Sequence, residues 1–393
     1  MPRSPGPSPS ASYAPPDPLA AVRGRILLHV KGTANAPLDR VSADSGGVVF
    51  SGKNAQDKAK EFARKKGPGC PVVLDPSAYE DFHATPEEPF ALERQLRIDT
   101  RRTGVGATLE HLASNPVDLI LTPTRYLRCD DAGGRALDEA VRQANGTNMR
   151  GVVFAVPVDA RWLTDRRRHL IASLRRVRAS KALILGDSGN PVGSAIRARA
   201  LREVLHACPG TALLRTDLTA LDAMAHGAAF ASIGDTASVR HAVPPGKQGG
   251  GPGPKSSPDV IMPALMGYFH GSTLAERLRG SRPCDCLPCV EWGEARNNGE
   301  VGRPLTDFQD TSDMEGAHAH NMALWSRWWR ELRSEHSHEG MRARWRGMCQ
   351  RAHLEYEWHN RAISPRQNTF TASDALRYWA EDRNEGFRSS TAR

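Results

Sequence analysis

From Arg25 onward the chain alternates between two kinds of segment, and that alternation limits the fold more than any other feature. Short apolar runs rich in β-branched residues lie at 26–30, 72–74, 119–121, 152–156, 182–185, 212–214 and 229–233. Between most of them come Ala-, Leu- and Arg-rich stretches of helical composition at 55–65, 136–143, 161–178, 192–208 and 218–226. Strands separated by helical crossovers of this length imply βαβ units and a parallel sheet. Such a sheet is covered on both faces, so its strands read as continuous apolar runs. Seven or eight units in about 220 residues fit a closed (β/α)8 TIM-type barrel of the α/β class better than an open, doubly wound sheet. No Gly-x-Gly-x-x-Gly turn follows Val30, as a dinucleotide-binding sheet would require.

Many of the strand runs end in a carboxylate: Asp75, Asp159, Asp187 and Asp217. In a barrel all strand C-termini meet at one face, where active sites sit. For any single one of these residues, capping the next helix is the plainer role.

Composition divides the rest of the chain. Residues 1–22 are rich in Pro, Ser and Ala and are expected to be a disordered tail. The barrel is expected over 23–280, interrupted by a flexible Gly/Pro-rich loop at 244–258. A zinc-binding motif over 281–325 and a helical Arg/Trp-rich region over 326–393 follow, as a C-terminal subdomain. Seven of the eight tryptophans fall between Trp292 and Trp379, which points to a small layer with its own packing. Trp325, Trp328 and Trp329 have the i, i+3, i+4 spacing of a buried helix face. The interleaved Arg327, Arg330, Arg342, Arg344 and Arg346 suit phosphate contacts.

Lys+Arg 53 against Asp+Glu 44 gives a net charge of +9, which favours an anionic partner such as nucleic acid. No stretch approaches the roughly 18 apolar residues of a membrane helix. The first residues lack the apolar core of a secretory signal. A soluble, cytoplasmic protein with no membrane partner is therefore expected.

Of seven cysteines, Cys70, Cys129, Cys208 and Cys349 are isolated, and Cys284, Cys286 and Cys289 form a C-x-C-x-x-C cluster. An odd count inside the cell argues for metal rather than disulfides. Zinc takes four ligands in a tetrahedron, and 317–321 offers two imidazoles, His318 and His320, for the fourth. A Cys3His site has no open position, so its zinc would be structural.

Asp44-Ser45-Gly46-Gly47 followed by Val48-Val49-Phe50-Ser51, the C-x-C-x-x-C cluster and a later His-Asn together resemble the tRNA-guanine transglycosylase superfamily. These are zinc-bearing barrels that exchange guanine for a 7-deazaguanine base in tRNA or DNA. Members carry a D-S-G-G-[FY]-Q-V-F-S type segment after an early strand and a zinc His directly before Asn. The resemblance spans about residues 25–325. It implies that His320 is the fourth zinc ligand, with His318 the runner-up, and that Asp44 handles protons on the base. It also implies that Ser45, Gly46 and Gly47 approach a flat purine or 7-deazapurine, which glycine permits by lacking Cβ. The family's second carboxylate attacks C1′ and holds the ribose covalently. A homodimer or a hetero-partner is the assembly such a member would form.

The chain departs from the family at several points. Counted from Gly227, Ala231 or Ser232 falls where the nucleophilic Asp belongs, and the nearest carboxylate is Asp235. At that count Asp235 would sit about 10 Å beyond the strand end. Asp187 and Asp217 are the other candidates. The family's Q-G-G segment is replaced by 155–159, its G-L-x-V-G segment by 186–190, and its P-T-R run is not recognisable in 236–241. Two functions follow: a base-exchange enzyme using Asp44 and Asp235, or a non-catalytic zinc-binding subunit that binds nucleic acid or a partner protein. A barrel adapted to an unrelated small molecule is a third.

Overall fold

Branched apolar side chains favour extended backbone, and here the apolar runs pair edge to edge into a closed cylinder. The computed structural model describes residues 17–33, 35–66, 69–98, 103–147, 150–247, 257–278, 282–296, 301–363 and 368–381. Its strands are β1 (Ile26–Val30), β2 (Val48–Ser51), β3 (Val72–Asp75), β4 (Leu119–Leu121), β5 (Val152–Asp159), β6 (Lys181–Gly186), β7 (Thr211–Thr216) and β8 (Ala231–Gly234). Each pairs in parallel with the next, and β8 closes on β1 from Ile26↔Ala231 to His29↔Gly234. The α/β barrel expected from the alternation is the fold observed.

The crossovers are α1 (Ala55–Lys66), α2 (Glu93–Leu96), α3 (Val105–Ala113), α4 (Asp131–Asn145), α5 (Arg167–Arg176), α6 (Ala195–Ala207) and α7 (Thr219–Ala225). Strand side chains alternate in direction. Ile26, Leu28, Val72 and Leu74 join the core under the helices, whereas Leu27, Val49, Val73, Ala155, Ile184, Leu214 and Phe230 fill the barrel interior. Leu19 and Val22 are buried with that interior cluster at the N-terminal end. The expected tail therefore gives way to packed chain before residue 22. Its residues 1–16 lie outside the described residues, as do 248–256 of the expected loop and 382–393 of the C-terminal region.

Beyond the barrel, β9 (Asp259–Met262) and β10 (Gly267–His270) form an antiparallel hairpin. The helices α8 (Gly271–Arg277), α9 (Leu287–Arg296), α10 (Met314–Arg333), α11 (His338–Arg361) and α12 (Asp374–Ala380) follow. Helix α10 lies against β1, β9 and α7, α11 against α7, and α12 against α6. Trp325, Trp328 and Trp329 are buried, as their helical spacing predicted. The layer does not pack separately: Trp325, Trp328, Trp329, Trp345 and Trp379 belong to the same core as the barrel's outer face, whereas Trp358 is exposed. The Trp345 indole N–H donates to Asp222 of α7 at 2.9 Å, beside the Arg202–Asp222 ion pair. No described helix is long and apolar enough to cross a membrane.

Candidate functional site

Toward the C-terminal ends of the strands the barrel interior changes from apolar to polar. His29 on β1, Ser51 on β2, Asp75 on β3 and Ser232 on β8 are all buried there. On β7 the register with β8 shifts between Leu213 and Thr216. At this irregularity Arg215 adopts φ +55° with its side chain buried, a left-handed conformation that costs a non-glycine residue about 1–2 kcal/mol.

Except for Ser51, whose hydroxyl donates to Val30 O, these side chains form one polar network, in which His29 Nε2 has no hydrogen-bond partner. The Ser232 hydroxyl accepts the Arg215 amide at 2.8 Å and lies 3.1 Å from His29 Nδ1. His29 Nε2 is 3.5 Å from Asp75 Oδ2. Asp75 accepts the Ser77 amide at 2.7 Å and the Tyr79 hydroxyl at 2.5 Å. Arg215 donates to Tyr79 Oη at 3.1 Å and pairs with Glu80 at 2.5 Å. Burial holds the His29 imidazole below its ordinary pKa, against the opposing pull of Asp75.

Asp235 stands on the same rim. Its amide donates to His29 O at 3.1 Å, so it extends the β8–β1 ladder by one residue. Asp235 directly follows Gly234, the last residue of β8, and lies three residues beyond Ser232. Strand β8 begins at Ala231 rather than Ala229, because Phe230 is spent closing the barrel floor. Asp235 Oδ1 accepts the Thr236 amide at 2.7 Å. Burial raises its carboxyl to about 6, against the Thr236 amide and the Arg240 guanidinium. His29 thus touches both Asp75, through its ring, and Asp235, through its backbone.

The other rim carboxylates are committed elsewhere. Asp159 pairs with Arg161 at 3.0 Å, and Asp187 with Arg197 at 2.6 Å. Asp217 accepts the Thr219 amide at 2.9 Å as the next helix begins. For these three, local capping and pairing account for the carboxylate.

Asp44 lies at the opposite end of the barrel. Strand β2 follows the Asp-Ser-Gly-Gly run instead of preceding it. Ser45 O and Gly47 O accept the amides of Ile26 and Leu28, so the run sits beside the N-terminus of β1. Asp44 is exposed, and its carbonyl accepts Arg333 at 3.0 Å. A Cβ on Gly47 would come within 2.6 Å of Leu27 Cδ2 and 2.8 Å of Pro71 O. That glycine serves close packing of the barrel floor. Asp44, Ser45, Gly46 and Gly47 are not brought to the rim that carries Asp235, so the expected pairing of Asp44 with Asp235 across one barrel mouth is not formed.

The cysteine cluster does assemble. The ligand atoms of Cys284, Cys286, Cys289 and His320 lie within 4.8 Å of one another, and all four residues are buried. Cys286 and Cys289 Sγ are 3.4 and 3.3 Å from His320 Nδ1. Tetrahedral zinc with Zn–S bonds of about 2.3 Å spaces its sulfurs about 3.8 Å apart. The local chain is shaped for this. The Cys284 amide donates to Arg303 O at 2.8 Å, and Cys289 sits in the first turn of α9. His320 Nε2 donates to Ile261 O at 2.9 Å, which leaves Nδ1 free to ligate. Asn321 accepts the Ile261 amide and donates to Asp259 O, both at 2.7 Å. The His-Asn pair therefore clamps β9 to the knuckle. His318 faces away, with Nδ1 3.0 Å from Asn35 O.

No family model matches the chain, and no curated protein is similar to it. The two sites thus stand on their geometry. The site residue that the sequence placed only as a strand-end carboxylate is Asp75. The signal for it was present: Asp75 directly ends an early apolar strand and is followed by small residues and an aromatic, Tyr79. Beside the knuckle a groove of about 740 Å³ is lined by Arg40, Arg327, Arg330 and Arg333, with Asp44 and Asp285.

Proposed function

We propose that the protein is a base-exchange enzyme of the transglycosylase type, acting on a guanine nucleoside in tRNA or DNA, with Asp235 and Asp75 as its two carboxylates. The observation that carries this reading is their shared rim: Asp235 directly follows β8, Asp75 ends β3, and His29 contacts both. Asp235 attacks C1′ as the C1′–N9 bond breaks, and the bonding pair leaves with guanine, which takes a proton from Asp75. The incoming purine or 7-deazapurine returns a proton to Asp75 as its nitrogen bonds C1′ and the Asp235 ester breaks. The Cys3His knuckle suits zinc in a structural role, since all four positions are filled by protein. The +9 charge and the arginines of the adjoining groove support a nucleic-acid partner.

A non-catalytic binding subunit is the second reading, favoured by one observation. The segment after β8 crosses the mouth: Ala242 bridges to Gly186 and packs with the interior cluster, and Asp75 is 0% exposed. Incubating the protein with labelled guanine and tRNA or DNA separates the two. Incorporation supports exchange; no incorporation and no covalent adduct on either polymer overturns it.

A further inference from the structure

The residue that joins the metal knuckle to the candidate nucleophile is Arg240. Its guanidinium is nearly buried and centred 3.5 Å from the middle of the Tyr268 ring, on β10. Nε donates to Gly234 O at 3.4 Å, and Nη2 approaches Asp235 O at 3.5 Å. Nη1 binds Asp259 Oδ2 at 3.1 Å. Asp259 opens β9, the strand whose backbone His320 and Asn321 hold. One unbroken run of contacts therefore leads from the cysteines through His320–Asn321 and β9 to Arg240 and the end of β8.

We propose that Arg240 is a positioning residue for Asp235: it fixes the Gly234–Asp235 strand end against the hairpin and supplies the cation that keeps the Asp235 carboxylate ready to attack. This rests on the proposed exchange reaction for its chemistry, though not for its geometry. The neighbours leave Arg240 in that role. Strand β1 brings His29 and, one residue beyond its end, Lys31, which pairs with Glu80; β7 brings Arg215 and, one residue beyond its end, Asp217; the hairpin brings Asp259, Tyr268 and His270. His29 is held toward its neutral form by burial, and Arg215 is engaged by Tyr79 and Glu80. Arg240 is the cation whose charge favours ionised Asp235. Planar stacking on Tyr268 holds that charge in place, a contact that guanidinium makes well.

The test reads Asp235 directly, by carboxyl carbon NMR of aspartate-labelled protein, with Asp235→Asn to assign the resonance. Wild type should titrate with a midpoint of about 6. Arg240→Met should raise the midpoint by about one pH unit, and Arg240→Lys should restore most of it. The acid limb of the exchange rate should move with the midpoint. Metal content and far-UV spectrum show that each variant is folded; should Arg240→Met fail to fold, Arg240→Gln takes its place. An unchanged midpoint in a folded, charge-free variant overturns the proposal. Absence of exchange in wild type overturns the reaction instead, and the midpoint still decides the role of Arg240.

Discussion

Replacing Asn321 by Ala isolates the clamp between the knuckle and β9 without touching a metal ligand. The substitution removes two hydrogen bonds of 2.7 Å, one to the buried Ile261 N–H and one to the partly buried Asp259 C=O. A buried backbone group left unsatisfied costs about 1–3 kcal/mol. With one group fully and one partly buried, the expected loss is about 2–4 kcal/mol. Urea denaturation of zinc-loaded protein measures the global cost. Amide hydrogen exchange locates it, because β9 should exchange about thirtyfold faster or more if opening becomes about 2 kcal/mol easier. Metal content should be unchanged, since Cys284, Cys286, Cys289 and His320 all remain. A stability loss below about 0.5 kcal/mol with undisturbed β9 exchange would refute the clamp. So would loss of metal, which would mean that Asn321 acts through the ligands.

Three further outcomes are expected. Purified protein should hold about one zinc per chain; Cys286→Ser should lose it and much of the folding free energy, while His318→Ala, whose imidazole faces Asn35, should keep it. Because burial raises the Asp235 carboxyl from 3.8 to about 6, the folded state binds more protons than the unfolded chain between those values, and this group's contribution to stability falls as pH rises through that window. Asp235→Asn should therefore raise the urea midpoint at pH 7 relative to wild type, and lose that advantage by about pH 4. Arg330→Glu with Arg333→Glu should weaken tRNA or DNA binding and reduce its salt slope by about two; binding that is unaltered would remove the groove from the interface.

The fold was legible because barrel strands are buried on both faces, so runs such as 152–156 and 182–185 announce themselves. The Cys3His cluster was legible because three cysteines in one short loop leave little other use for them, and the resemblance implied His320 through the His-Asn pair. The polar rim was harder. Asp-Ser-Gly-Gly is the same four letters at either end of a strand, and only the pairing of Ser45 and Gly47 with β1 shows that it leads into β2. The place of Asp235 on the rim depends on where β8 ends, and the strand runs to Gly234, directly before it. The polar network brings together residues more than 200 positions apart, such as His29 and Ser232. Its keystone, Arg215, depends on a left-handed residue at a register shift that no local pattern announces.

The central claim is that Asp235 and Asp75, not Asp44, flank the reacting nucleoside. Incorporation of labelled guanine into tRNA or DNA by wild type, Asp235→Asn, Asp75→Asn and Asp44→Asn tests it most directly. The account predicts exchange by wild type and by Asp44→Asn, and none by the other two, with metal content equal in all four. An inactive Asp44→Asn beside a fully active Asp75→Asn would contradict it.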